Sequence, residues 1–352
     1  MRLLHELANR VRSQNVGDAV HMRGLIEVSN RCVRQCAYCG LRADNHAVTR
    51  YRMKREEILD CARLAKRLGY GTVVMQAGED PALTGPWVAG VVRQIKSETG
   101  LAVTLSLGER EEEDLRLWKL AGADRYLLRF ETSDPALFAA IHPMRREGDL
   151  DRIELLGKLK SMGYEVGGGI MVGIPGQSFA SIAGDILAFR GLDLDMIGIG
   201  PYIPHPSTPL GSGALRPSVA AGEQVPATEE MVLKVVALAR IVCPDSNIPS
   251  TTALATINKK EGRRHGLMCG ANVVMPNLTP VRYRAMYEIY PDKSCIDESA
   301  QDCSVCLRAQ IRSIGREVGS GPGGRGQTCV KKPASAAPTP QLATIESLGS
   351  GS

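Results

Sequence analysis

The sequence predicts an α/β chain folded as a closed (β/α)8 TIM barrel with a disordered C-terminal tail. Eight apolar, strand-like runs alternate with segments of helical period, the pattern of parallel βαβ units. The 352 residues leave room for such a barrel, which commonly takes about 250 residues. From about residue 315 onward Gly, Pro, Ser and Ala dominate, and that composition buries too little apolar surface to offset its ordering entropy.

Taken in order, residues 1–20 are expected as a helical extension, 21–314 as the barrel with a late cysteine group, and 315–352 as the tail. The first run, Gly24–Asn30, leads into a cysteine-rich loop. Ile58, Cys61, Ala62 and Ala65 then repeat at i, i+3, i+4 and i+7, one face of a helix. Gly71–Gly78, Ala102–Gly108 and Asp124–Thr132 read as the next three strands. Tyr164–Gly173 is the fifth, and its Gly167-Gly168-Gly169 lets backbone approach a flat ligand closely. No Lys-Ser/Thr pair follows these glycines, so an adenine-facing segment fits better than a phosphate loop. A second helical face, Phe179, Ile182, Ala183 and Ile186, precedes the sixth strand, Asp195–Ile203. Asn247–Leu254 and Ala271–Asn277 complete the eight, although Pro249 and Pro276 interrupt them. A six-unit partial barrel with a C-terminal appendage is the alternative.

Composition excludes several classes. The net charge of +5 is mild, aromatics are only 4%, and no basic block alternates with them, so no nucleic-acid surface is indicated. No run reaches the ~18 apolar residues of a membrane span, and the first residues lack the apolar core of a secretory signal. Ten cysteines in such a chain point to metal or catalysis rather than disulfides, and to a cytoplasmic setting.

Polar groups interrupt runs where a barrel core would be apolar. In the fourth strand a period of two puts Arg129 and Glu131 on one face. Such a pair persists in a barrel only when mutually bonded or engaged with a ligand. A structural ion pair at the strand end is the bland reading. Gln76, Thr104, Ser106, Thr251 and Thr252 offer further hydrogen-bonding groups near strand ends, yet strands favour Thr in any case. Met171, Met196 and Met275 taken singly are core fillers. His205, between two prolines, reads as structural.

The sharpest signal is Cys32-x3-Cys36-x2-Cys39, directly after the first strand. Zinc would want a fourth ligand, usually from a second pair, and none is close in sequence. Three thiolates instead suit a 4Fe-4S cluster with one iron left open. The loop resembles the cluster-binding loop of radical S-adenosylmethionine (SAM) enzymes. Its place after a barrel strand puts it on the face where barrels carry chemistry. A second group, Cys295-x7-Cys303-x2-Cys306, could hold another iron–sulfur cluster (2Fe-2S or 4Fe-4S) or zinc, with a fourth ligand from elsewhere.

Longer segments resemble the HydE family of FeFe-hydrogenase maturases, over about residues 1–315. They are Glu27 to Arg42 with Asn45, Thr104 to Arg110, Arg125 to Thr132, Met171 to Gln177, Ile197 to Pro206 and Pro244 to Pro249. The resemblance implies a radical SAM barrel with a closed internal cavity. It implies that Cys32, Cys36 and Cys39 ligate the cluster, and that Thr104, Arg129, Glu131 and Arg152 contact SAM. Tyr38 and Met196 would lie near the adenosyl group, and Gln76, Ser106, Thr251, Thr252 and Tyr283 would line the substrate cavity. Cys295, Cys303 and Cys306 would match an accessory cluster site. Ala77 stands where relatives often carry serine.

The activity so implied is reductive cleavage of SAM to a 5′-deoxyadenosyl radical. The radical then acts on an organometallic iron precursor during assembly of the hydrogenase H-cluster. Implied partners are a precursor-making tyrosine lyase, a scaffold GTPase and an external electron donor. Two alternatives stand beside it: a methylornithine synthase- or biotin synthase-like enzyme on a small organic substrate, and a non-catalytic iron–sulfur carrier. Biotin synthase would place its second cluster's ligands on strands, whereas Cys295, Cys303 and Cys306 follow the last one.

Overall fold

A computed structural model describes residues 1–143 and 151–328. Six parallel strands form the expected ladder: β1 Ala19–Ser29, β2 Thr72–Ala77, β3 Ala102–Ser106, β4 Arg125–Leu127, β5 Glu165–Val172 and β6 Met196–Pro201. The other edge of β1 pairs with β7, Val273–Val274.

The ring closes through the stretch 247–249, which makes bridges rather than a full strand. Ile197 donates to the Asn247 carbonyl at 2.9 Å, and Ser250 donates to the Val273 carbonyl at 2.9 Å. Pro249 has no N–H to offer a ladder, so the seventh expected strand shrinks and a helix begins at Thr252. Pro276 shortens the eighth likewise, leaving β7 and one bridge from Asn277 to Leu25. The barrel of eight expected from sequence is present, with two of its staves reduced.

Other boundaries moved as well. The fourth strand stops at Leu127, and Glu131 adopts a left-handed φ of 63°. The first strand starts at Ala19, so the expected division at residue 20 falls inside it, after a helix over Arg2–Val16. Ile58, Cys61, Ala62 and Ala65 face the core from the helix Arg55–Arg67, as their spacing predicts. On the helix Phe179–Gly191 the buried stripe is Ile182, Asp185, Ile186 and Phe189, leaving Phe179 and Ala183 exposed.

Strand alternation sends Ile26, Val28, Val73, Met75, Val103, Leu105, Tyr126 and Leu128 outward, into the layer beneath the helices. Among the inward positions, beside apolar Leu25, Leu127 and Met196, are polar or small residues: Arg23 and Glu27 on β1, Gln76 on β2, Arg129 after β4, Gly198 on β6. Barrel interiors are ordinarily filled by bulky branched side chains. Here the inward Gly198 and the polar residues leave a cavity of about 140 Å³.

The expected tail begins too early at 315. Residues 317–318 form a further parallel strand, β8 Glu317–Val318, beside the start of β1. The glycine-rich stretch after it closes the N-terminal mouth of the barrel. The Gly323 carbonyl accepts from Arg23 at 2.9 Å and from Asn247 at 3.2 Å. The Pro322 carbonyl accepts from Arg125 at 3.1 Å and from Thr72 at 2.9 Å. A Cβ on Gly71 would lie 1.7 Å from the Gly321 carbonyl oxygen, so only bare backbone passes there. Composition suggested solvation; the buried guanidinium groups give the carbonyls a reason to order. Residues 329–352 of the expected tail lie outside the described residues.

Candidate active site

β1 delivers the loop of Cys32, Cys36 and Cys39 to the C-terminal face of the barrel. Arg50 straps this loop by donating to the carbonyls of Asn30, Leu41, Arg42 and Asn45. The Asn45 amide donates to the Gly40 carbonyl at 2.7 Å. A Cβ on Gly78 would lie 2.4 Å from the Arg31 carbonyl oxygen and 2.7 Å from Cys32 Cβ, so glycine lets β2's end pass the loop.

The three thiols open on a cavity of about 270 Å³, also lined by Tyr38, Gln76, Ser106, Arg129, Glu131 and Arg152. A lower cavity holds Thr251 and Thr252, and Gln76 and Arg129 border both. Thr104 is buried just beneath Ser106 on β3, its hydroxyl without a hydrogen-bond partner.

Two expected residues are elsewhere. Met196 begins β6 and lines the lower cavity rather than the cysteine cavity, its Sδ 2.6 Å from Arg23 Nη1. Tyr283 lies outside the barrel, stacked on Tyr51 at 4.5 Å, its hydroxyl donating to Glu57 at 3.0 Å. Tyr287 and Tyr290 take its place in the cavity wall, and Tyr287 holds Gln76 at 3.3 Å. The spacing of Tyr283, Tyr287 and Tyr290 alone does not say which ring turns inward. Met171, read as core filler, also lines the site.

Charge is densely paired here. Arg129 lies 3.1 Å from Glu131, and both line the cysteine cavity although the strand has already ended at Leu127. Arg152 donates to Glu109 at 2.8 Å and to the Arg129 carbonyl at 2.6 Å. Arg34 donates to Glu109 at 3.0 Å. The neighbouring His142, Arg152 and Arg34 together hold the Glu109 carboxyl down at about 2 in spite of its burial. His142, at the end of the helix Pro135–Ile141, puts Nδ1 3.1 Å from Cys36 Sγ. Neither Glu109 nor His142 was singled out in the sequence.

Burial pushes all three thiols up, Cys36 to about 12. A buried thiol trio gains most from a metal, because metal binding replaces the proton and satisfies the thiolate. The unpartnered Arg129 Nε suits a polar ligand on the barrel side, and the Thr104 hydroxyl is likewise buried without a partner. The residues therefore fit a three-cysteine iron–sulfur cluster with a polar co-ligand.

The second cysteine group is also assembled. Cys295 Sγ, a Glu298 carboxylate oxygen and Cys303 Sγ lie within 4.8 Å of one another. Cys306, one turn further along the helix Ala300–Ser313, is exposed and borders the same hollow. The Cys303 thiol, by hydrogen bonding to Cys295, draws Cys295 down to about 6 and is itself pushed up.

Residues 26–187 match the model of the radical SAM superfamily. The chain is 47% identical over 322 residues to the FeFe hydrogenase maturase subunit HydE of Thermotoga maritima, covering 92% of this chain and 88% of that protein. The chain belongs to the HydE family of radical SAM enzymes. It is also 27% identical to the 3-methylornithine synthase of Methanosarcina acetivorans, over 77% of this chain and 73% of that protein. The solved structure of methylornithine synthase superposes with a TM-score of 0.71 at 24% identity, covering 90% of this chain and 89% of that one. One of HydG, another FeFe-hydrogenase maturase, gives 0.71 at 18% identity, covering 90% and 67%. Both likenesses concern the fold. Among the described residues no helix is long and apolar enough to cross a membrane. HydE membership makes this a radical SAM enzyme with a 4Fe-4S cluster and SAM as its cofactors.

Proposed function

We propose that this HydE-family enzyme cleaves SAM reductively and uses the 5′-deoxyadenosyl radical on an organometallic iron precursor in H-cluster assembly. The reading rests on one observation: the three-cysteine cavity shares Gln76 and Arg129 with a second cavity enclosed by the barrel. A radical made at the first can reach a substrate in the second without meeting water.

Cys32, Cys36 and Cys39 would hold the cluster, which leaves one iron open to SAM and supplies the electron for its cleavage. Arg129 and Glu131 would bind the amino acid part of SAM, Arg152 would fix the Arg129 backbone, and Thr104 would offer its unpartnered hydroxyl. Tyr38 and Met171 would wall the adenosyl side. Gln76, Ser106, Thr251 and Thr252 would meet substrate. The lower cavity carries Arg23, Arg129, Arg263 and Lys293 against Glu27 alone, a field that favours an anionic precursor such as an iron–cyanide–cysteine species. Cys295, Cys303 and Cys306 would hold an accessory iron–sulfur cluster. The partners would be the precursor-making tyrosine lyase, the scaffold GTPase and an electron donor, all in the cytoplasm.

The test is anaerobic activation of an apo FeFe-hydrogenase with the other maturases supplied. Hydrogen evolution should require this protein, SAM and Cys36, and Cys36→Ala should abolish both the main cluster and SAM cleavage. SAM cleavage without activation would move the substrate to a small organic molecule of the methylornithine type. Iron uptake without any SAM cleavage would leave only an iron–sulfur carrier.

A further inference from the structure

Behind the cysteine loop, His142 is buried between Cys36 and a cluster of charges. Its Nε2 lies 2.7 Å from Arg34 Nη2 and 3.2 Å from Glu109 Oε1. Its Nδ1 lies 3.1 Å from Cys36 Sγ. Arginine can only donate, so at 2.7 Å Nε2 must be the accepting nitrogen. A proton on Nε2 would point at another N–H. Glu109, slightly farther away, is already engaged by Arg34 and Arg152. The ring proton therefore sits on Nδ1, and Nδ1 faces the sulfur. Phe138, 4.9 Å away and tilted 31°, holds the ring's plane.

We propose that His142 is a positioning residue that donates an Nδ1–H hydrogen bond to the Cys36 sulfur and raises the potential of the cluster held there. The inference rests on the three-cysteine reading. A hydrogen bond to a cluster sulfur stabilises the more negative, reduced form, so it eases the uptake of the electron that SAM cleavage consumes. Arg34, which donates to Nε2, fixes the tautomer. The same pairing explains why a histidine is buried among arginines at all: an N–H is wanted on one side and an acceptor on the other.

The experiment compares the full-length protein with His142→Phe and His142→Asn, each reconstituted anaerobically and checked for iron and sulfide content. Phe keeps the ring and its packing but has no donor. Asn keeps an N–H close to the position of Nδ1. Redox titration followed by electron paramagnetic resonance should show the Phe variant lower by about tenfold in the one-electron equilibrium, ~59 mV, with Asn restoring most of it. A Phe variant with a full cluster at the wild-type potential overturns the proposal, as does an Asn variant as low as Phe. Should the Phe variant take up no cluster, electron–nuclear double resonance on 15N-histidine-labelled wild type decides. A coupled histidine nitrogen and an exchangeable proton support the bond; their absence refutes it. Wild type without any 4Fe-4S signal would instead overturn the three-cysteine reading, and this inference with it.

Discussion

Lys293 Nζ lies 2.7 Å from Glu27 Oε1, and both side chains are almost wholly buried in the wall of the barrel cavity. The pair ties the segment after the last stave to the first strand. Lys293 also donates to the Tyr287 carbonyl at 3.0 Å, and Asn277 donates to the other Glu27 oxygen at 3.0 Å. Removing one partner strands a buried charge, which costs about 3–5 kcal/mol. Lys293→Met should therefore lower the denaturation midpoint strongly. The double variant with Glu27→Gln should recover much of it, read by chemical unfolding of the same preparations.

Asp185 supplies a pH dependence. Its Oδ1 accepts from the Ser133 backbone at 2.5 Å and the Ser133 hydroxyl at 2.7 Å, while Oδ2 is buried without a partner. Burial pushes its carboxyl up to about 6, with the charge of neighbouring Asp134 adding to the rise. A folded value above the unfolded one means the protonated form is favoured by folding. That contribution is complete below about pH 4 and is lost as pH rises through 6, on the order of 2–3 kcal/mol. Asp185→Asn should flatten the stability profile between pH 4 and 7 and melt higher than the parent at pH 8.

Gly198 keeps the lower cavity open. A Cβ there would meet only the Gly168 carbonyl oxygen, at a comfortable 3.6 Å. Gly198→Leu should fold, take up iron at the three cysteines, and fill the space that substrate needs. Hydrogenase activation should fall by on the order of tenfold to a hundredfold while iron content holds.

The C-terminal segment separates two truncations. Ending the chain after Thr328 keeps the bonds from Pro322 and Gly323 that close the barrel mouth. Ending it after Val318 deprives Arg23, Arg125, Thr72 and Asn247 of carbonyl partners. It also removes Arg325, which pairs with Asp245 at 2.9 Å and Asp195 at 3.3 Å. Hydrogen bonds to charged groups are worth about 1.5–3 kcal/mol each, so by calorimetry the shorter chain should be several kcal/mol less stable than the longer one.

What the sequence showed and hid follows from distance along the chain. Cys32, Cys36 and Cys39 were legible because one short loop carries all three ligands. The first six strands were legible because each is a mostly apolar run set between segments of helical period. Asn247 and Asn277 join the ring through single bridges beside prolines, and periodicity carries no trace of that. His142 is 106 residues from Cys36, and Arg34 is 75 from Glu109, so only the folded chain brings them together. Tyr283 and Tyr287 look alike as text; the backbone turn between them decides which ring faces inward. The glycine segment misled because composition measures what side chains can bury, whereas its role is carried by carbonyl oxygens.

That same segment gives the chain a direction in time. Translation releases domains from the N-terminal end, so the cysteine loop emerges from the ribosome long before Gly321-Pro322-Gly323 does. A nascent chain halted in between would already carry every thiol of the candidate cluster above a mouth still open at Arg23 and Arg125. The vessel is fitted with its reactive end first and stoppered late.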